Sequence, residues 1–270
     1  MKIYVRQSGR RATSDFQIAA DKHYITKAPH FNTVSNYYNN QLIEPILKHL
    51  VRVSSHPLAW AETTFAADST GFSTFQFSRW FSFAHQRDVT YRDWVKLHIM
   101  CGTKTNVVTW AEITDGHSND SPMLPGLVGQ TAQSFNMEEI TADAAYSSRN
   151  NLAAIAQAGA LPYIPFKRNA TRRKIRVSIW RKMFEYFQTH REEFLARYHR
   201  RSNVESVFHM MKRKFGNTVA SKKHQGKVNE LLCKVICHNL CVLIQEMHEQ
   251  HFTVNFCAAN DPAQQIIWND

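Results

Sequence analysis

Cysteine is scarce in this chain of 270 residues: there are five, an odd number, and no two stand as C-x-x-C. That excludes a disulfide framework and a zinc ribbon, and a reducing cytoplasm fits best. Glycine is also sparse, at nine, and neither the phosphate-cradling P-loop nor the dinucleotide fingerprint can be written from it. The 14 histidines are scattered with no H-E-x-x-H, so a zinc hydrolase has no support. No leading signal peptide is visible, and long hydrophobic runs are missing as well. The most apolar late segment, LLCKVICHNLCVLI, has 14 residues and includes Lys, His and Asn. It is too short and too polar to span a bilayer, so no membrane partner is expected. Lysine and arginine disappear after residue 245, whereas acids are rare in 151–231, which holds 18 Lys/Arg against 5 Asp/Glu.

What is present begins with that charge. The chain carries +11 overall with a pI of about 9.5, and 151–231 alone carries +13, leaving −2 for the rest. A polyanion is the implied partner. Within this region KRNATRRKIR (167–176) has six cations and no acid, making Arg172, Arg173 and Lys174 candidate phosphate contacts. Hydrophobic residues at 43% and aromatics at 12% suffice for a substantial core in one large domain.

The order of elements follows from pattern. After a basic, polar start, NTVSNYYNNQLIEPILKHLV reads helical. AWAETTFAADSTGF alternates and ends in Ser-Thr-Gly, predicting a strand that runs into a turn with Asp68 at its carboxyl end. SRWFSFAHQ, DWVKLHIMCG and NVVTWAEIT predict further strands, with GTKTN a hairpin turn. DGHSNDSPMLPGLVGQTAQSF predicts a helix capped by Asp120 or Ser121, with Pro122 in its first turn. MEEITADAAYSS predicts a strand ending near Asp143, SRNNLAAIAQAGA a helix closed by Gly159, and LPYIPF a strand. A basic, helix-leaning segment follows, then a helix containing Glu205, then a long helix over KVNELLCKVICHNLCVLIQEM. Consecutive strands followed by alternating helix and strand predict an α/β fold, a mixed sheet covered by helices.

One stretch raises a question of chemistry. YHRRSNVESVFHMMKRK (198–214) surrounds a single acid, Glu205, with cations. Ser202-Asn203-Val204-Glu205 fits a capping box, which would make Glu205 a helix-start residue. Alternatively, on one continuous helix Tyr198, Glu205 and Lys212 project within about 40° of one another, with Arg201 about 20° further round. Val204, Val207, Phe208, Met211 and Phe215 then form a separate apolar stripe. Asp68 and Asp143, each at a strand end, could likewise be plain turn caps. Together the three acids would offer hard oxygen ligands to Mg²⁺ or Mn²⁺, and two such ions suit in-line phosphoryl transfer.

The spacing Tyr198-x2-Arg201-x3-Glu205-x6-Lys212 resembles the Y-R-E-K signature of bacterial insertion-sequence transposases of the DDE type. FAADSTGF around Asp68 and TADAAYSSR around Asp143 are similar to the other two acid motifs of that family, in the same order. The resemblance covers roughly residues 60–245. It implies an RNase H-like catalytic domain in which Asp68, Asp143 and Glu205 bind two Mg²⁺, with Mn²⁺ as substitute. It also implies that Tyr198, Arg201 and Lys212 contact DNA phosphates near the cleaved end. The expected partners are double-stranded DNA, as transposon ends and target, and a second copy in a homodimer on DNA; the expected place is the bacterial cytoplasm at the nucleoid. The 61 residues between Asp143 and Glu205 leave room for only a small insertion. Residues 1–59 are expected to form a mostly helical segment, readable as a truncated DNA-end-binding region, 60–245 the catalytic domain, and 246–270 a tail. The competing readings are an RNase H-like nuclease without strand transfer and a non-catalytic DNA-binding remnant.

Other residues read as structural. Cys233, Cys237 and Cys241 recur every four residues as small core residues of one helix rather than as a metal site. Trp180 reads as a core aromatic ahead of a base-stacking one. Asp115, His117 and Asp120 read as turn and cap residues, with His117 close enough in sequence to approach the site from a neighbouring strand end.

Overall fold

The computed structural model describes residues 1–74, 94–167, 170, 178–256 and 266–268. Its centre is a five-stranded sheet built from β1 (Thr64–Ser73), β2 (Trp94–Gly102), β3 (Val108–Asp115), β4 (Glu139–Ala142) and β5 (Leu161–Tyr163), in the order β3-β2-β1-β4-β5. β1, β2 and β3 pair antiparallel, while β4 and β5 add in parallel beside β1. This is the mixed sheet of an RNase H-like fold. The predicted strand over SRWFSFAHQ lies outside the described residues.

Three helices precede the sheet: α1 (Ala12–Asp21), α2 (Phe31–Tyr38) and α3 (Ile43–Ser55). α4 (Leu124–Thr131) and α5 (Arg149–Gln157) connect β3, β4 and β5, and α6 (Ile179–Thr189), α7 (Arg191–Tyr198), α8 (Ser202–Phe215) and α9 (His224–Glu249) follow. A short ribbon of β6 (Phe252–Val254) and β7 (Ile266–Trp268) packs beyond α9.

Alternation along the strands divides the core in two. Phe65, Ala67, Met100, Ile140 and Ala142 face α4, α5, α6 and α7 through Leu127, Leu152, Phe187 and Phe194. Ala66, Phe72, Leu97 and Ile99 face α3, α8 and α9 through Val51, Val207, Met211 and Leu231. The apolar stripe expected on the Glu205 helix is buried at all five positions. Each such side chain contributes about 1.5–3 kcal/mol on leaving water, so α8 is fixed by its underside while its polar stripe lies toward β1.

α9 is long and apolar enough, by length and composition, to cross a membrane, but much of it is buried within the fold. Its polar side chains are used there. Asn239 donates to the Val108 carbonyl at 2.8 Å and to Ser54 Oγ at 3.1 Å, and accepts from Val108 N–H at 2.9 Å. Lys234 Nζ donates to the carbonyls of Gly216 and Thr218 at 3.0 and 2.7 Å. Those bonds lie just past the end of α8, which Gly216 closes with φ +82°, a conformation that glycine adopts without strain. The β2–β3 turn is tied from below: the buried Glu62 carboxylate accepts from Lys104 N–H, Thr105 N–H and Thr105 Oγ1. Gly102 is needed beside it, since a Cβ there would collide with the Glu62 carboxyl group.

Two local expectations are corrected. Ser69, Thr70 and Gly71 do not turn; they continue β1, opposite His98, Leu97 and Lys96 of β2. The cross-strand ladder outweighs the local turn preference of Ser-Thr-Gly. Asp120 precedes the Ser121–Met123 turn without making a side-chain cap bond; its carboxylate instead pairs with Lys96 at 2.9 Å.

Candidate active site

Asp68 lies in the middle of β1, but β4 accompanies β1 only as far as the Ala67–Ala142 pair. Asp68 and Asp143 therefore each follow one step after the same rung. Parallel neighbours stand about 4.8 Å apart, so the main chain alone brings the two aspartates together. Asp143 starts the Ala144–Tyr146 turn and accepts from Ala145 N–H at 2.7 Å. Its capping role and its place beside Asp68 are compatible.

Glu205 approaches Asp68 from the helix layer packed on β1. The capping box is not formed: Ser202 Oγ donates to the His199 carbonyl at 3.0 Å, and Arg201 before it is already helical. The chain passes from α7 through a 3-10 turn, His199–Arg201, directly into α8. Tyr198 and Arg201 thus stand on helical backbone ahead of Glu205. Arg197 and Arg200 anchor this passage by pairing with Glu139 at the start of β4, Arg200 at 3.1 Å. Arg200 is engaged by the sheet in this way.

Arg201 joins the acids. Its Nη2 donates to Asp68 Oδ2 and its Nη1 to Glu205 Oε1, both at 2.8 Å. The Arg201 and Asp68 side chains are 19% and 15% exposed, whereas Glu205 is 62% exposed. The ion pair with Asp68 is therefore the shielded one, and that with Glu205 is weakened by water. Burial opposes the charge of Arg201, but Asp68, Tyr198 and Glu205 together raise its pKa. Asp68 is pushed above the usual carboxylate range by burial, against the Ser69 N–H at 2.8 Å and Arg201, and with Asp143 adding repulsion. Lys212 Nζ donates to Thr70 Oγ1 at 2.6 Å, two residues along β1 from Asp68, and burial lowers its pKa.

Tyr146 is a residue that the sequence pattern does not single out. It is 1% exposed, and burial raises its pKa together with the charges of Asp68, Asp120 and Asp143. The available signal was its position three residues after Asp143, one 3-10 turn on.

The donor set suits a hard divalent cation, since Asp68, Asp143 and Glu205 offer only carboxylate oxygens. Among the described residues, no group of three or more such side chains is already gathered as a metal site. The Arg201 guanidinium stands between two of them.

The remaining candidates fall elsewhere. Arg172, Arg173 and Lys174 lie outside the described residues. Trp180 packs edge-on against Phe166 with ring centroids 4.8 Å apart, as a core aromatic. Cys233, Cys237 and Cys241 are free and pack against the α3–α8–α9 core. Asp115 accepts from His117 N–H and Ser118 N–H at 2.9 and 2.8 Å, the turn role expected of it. The His117 ring lies 6.2 Å from that of Trp94.

A second basic feature was not foreseen. Lys2, Arg10, Lys222 and Lys223 line a cleft of about 500 Å³ with Phe31 and Tyr38, and among the described residues no acid lines it. It lies beyond the far end of β1, where Ser73 exchanges main-chain hydrogen bonds with Asn217 and Val219.

Against known families, residues 59–240, more than half of the chain, match the model described as "Transposase DDE domain".

Proposed function

The chain belongs to the transposases with a DDE domain, and from that premise we propose that it cuts a phosphodiester at each end of a mobile DNA element and joins the freed 3′-hydroxyl to target DNA. The observation that carries this reading is the shared rung of Asp68 and Asp143, with Glu205 tied to the same place through Arg201. Asp68, Asp143 and Glu205 would hold the divalent ions, Mg²⁺ with Mn²⁺ as substitute. Two bound ions would supply activation of the attacking hydroxyl and stabilisation of the leaving oxygen. The chain's own residues do the rest. The β1–β4 ladder fixes the spacing of the two aspartates, and the buried underside of α8 holds Glu205 over them. Tyr198, Arg201 and Lys212 would grip phosphates beside the reacting bond, with Arg172, Arg173 and Lys174 extending that grip. The cleft of Lys2, Arg10, Lys222 and Lys223 supports a longer DNA track, because cations beside aromatic faces suit a nucleic-acid backbone. The working form is a homodimer on paired ends, in the cytoplasm.

Replacing Glu205 by Gln tests the reading, since it removes one charge and little volume. The variant is expected to retain DNA binding and to lose metal-dependent strand cleavage; retained cleavage would overturn the triad. Joining of a labelled element end to a plasmid by the native protein separates transposition from simple nuclease action. DNA retention indifferent to all three acids, without any metal-dependent cleavage, would identify a binding remnant.

A further inference from the structure

One guanidinium touches both Asp68 and Glu205, through two nitrogens that share a single carbon. Two carboxylate oxygens, one from the sheet and one from the helix packed on it, are thereby drawn toward one cationic group. The oxygens that Arg201 occupies, Asp68 Oδ2 and Glu205 Oε1, are atoms through which these acids would coordinate a hard cation. Arginine cannot relieve the competition by losing its proton. Its third nitrogen, Nε, is buried without a partner, so the present position leaves part of its hydrogen-bonding capacity unused. A planar fork of this kind matches a phosphate as well as it matches two carboxylates.

We propose that Arg201 is a placeholder for the divalent cation: it keeps the metal-free acids together, is displaced when the ion binds, and is thereby released to clamp a DNA phosphate. The proposal rests on the metal-binding reading of the three acids. It makes metal and DNA binding cooperative, because the ion draws the acids, and the phosphate draws Arg201, out of the same ion pairs. It also predicts a sign opposite to that of a supporting residue: without DNA, removing the Arg201 guanidinium strengthens metal binding.

The test is calorimetric titration of Mn²⁺ into the full chain without DNA, comparing the native protein with Arg201→Gln, Arg201→Lys and Asp68→Asn. Arg201→Gln is expected to bind about 10- to 100-fold more tightly, the scale of one charge-assisted hydrogen bond that no longer has to be broken. Arg201→Lys keeps the charge but cannot fork between both acids, and it should also bind more tightly than the native chain. In parallel, fluorescence anisotropy of a short labelled duplex measures how far Ca²⁺ raises DNA affinity. The native protein should show that enhancement, and Arg201→Gln should not. Equal or weaker Mn²⁺ binding by Arg201→Gln would make the guanidinium a support and overturn the exchange. Tighter binding by the Gln variant with native binding by the Lys variant would reduce the effect to net charge, and also overturn it. If Asp68→Asn leaves Mn²⁺ binding unchanged, the metal-site reading itself fails and the placeholder role falls with it.

Discussion

Replacing Lys234 by Met probes how the end of the Glu205 helix is held. Lys234 is 2% exposed; its ammonium donates to two carbonyls just beyond α8 and lies 5.2 Å from the centre of the Phe72 ring. Burial is the main cause that lowers its pKa from 10.5 to about 8, with Glu230 opposing and Arg6 assisting. The folded value thus lies below the unfolded one. Between pH 8 and 10.5 the unfolded chain retains a proton that the folded chain has released, so this group makes stability rise with pH across that window. The full difference corresponds to about 3 kcal/mol, at about 1.4 kcal/mol for each tenfold step. Met has similar bulk and no charge, and it leaves two carbonyls without their donor, at about 1–3 kcal/mol each. At pH 7 the native chain still bears the cost of a buried charge, which offsets part of that penalty. At pH 10 it does not. The stability gap between native and Lys234→Met proteins, read from urea unfolding, should therefore widen by about 2–3 kcal/mol from pH 7 to pH 10. Tyr38 and Tyr146, whose pKa values are raised by burial, are common to both proteins and cancel in the comparison. A gap that stays constant with pH would refute the argument and mean that Lys234 is not strained by its burial.

Two further outcomes follow from the site. Asp68 carries its charge against burial and against Asp143, so its raised folded pKa makes the ionised form costly above the usual carboxylate range. Asp68→Asn should raise the urea midpoint in the absence of divalent ions while abolishing strand cleavage; a lower midpoint would mean that the Arg201 ion pair outweighs both costs. For the distal cleft, changing Lys222 and Lys223 to Glu should weaken DNA binding and lower the slope of log affinity against log salt by about 2, close to one for each phosphate no longer neutralised. An unchanged slope would take the cleft off the DNA path.

Much of the fold around the candidate site was legible because it is written locally. Alternation marked β2 and β3, Gly159 closed α5 as expected with φ +86°, and the apolar stripe of α8 was buried as spaced. What the sequence hid depends on distant partners. The extension of β1 through Ser69, Thr70 and Gly71 is imposed by β2, some 25 residues on. The capping box at Ser202 failed because Arg197 and Arg200, held by Glu139, carry the helix through that point. α1 escaped notice because it buries only Ala12 and Ala19 and so lacks a broad apolar stripe. Tyr146 was passed over because a single buried tyrosine has no spacing to announce it. The joining of Asp68 to Glu205 required the fold: 136 residues lie between them in the chain.

The two aspartates and the glutamate are held by different kinds of bond, and this divides the labour between them. Asp68 and Asp143 inherit their separation from a ladder of peptide hydrogen bonds, which no side-chain exchange in the core can retune. Only a slip of register could alter it, and that would exchange the two faces of β4, whose four residues are all buried. Glu205 is held by packed side chains and one ion pair, both of which admit graded adjustment. An engineer seeking to change the breadth or timing of the site would therefore leave the strands alone and work on the underside of α8, the adjustable jaw of a vice whose other jaw is cast into the sheet.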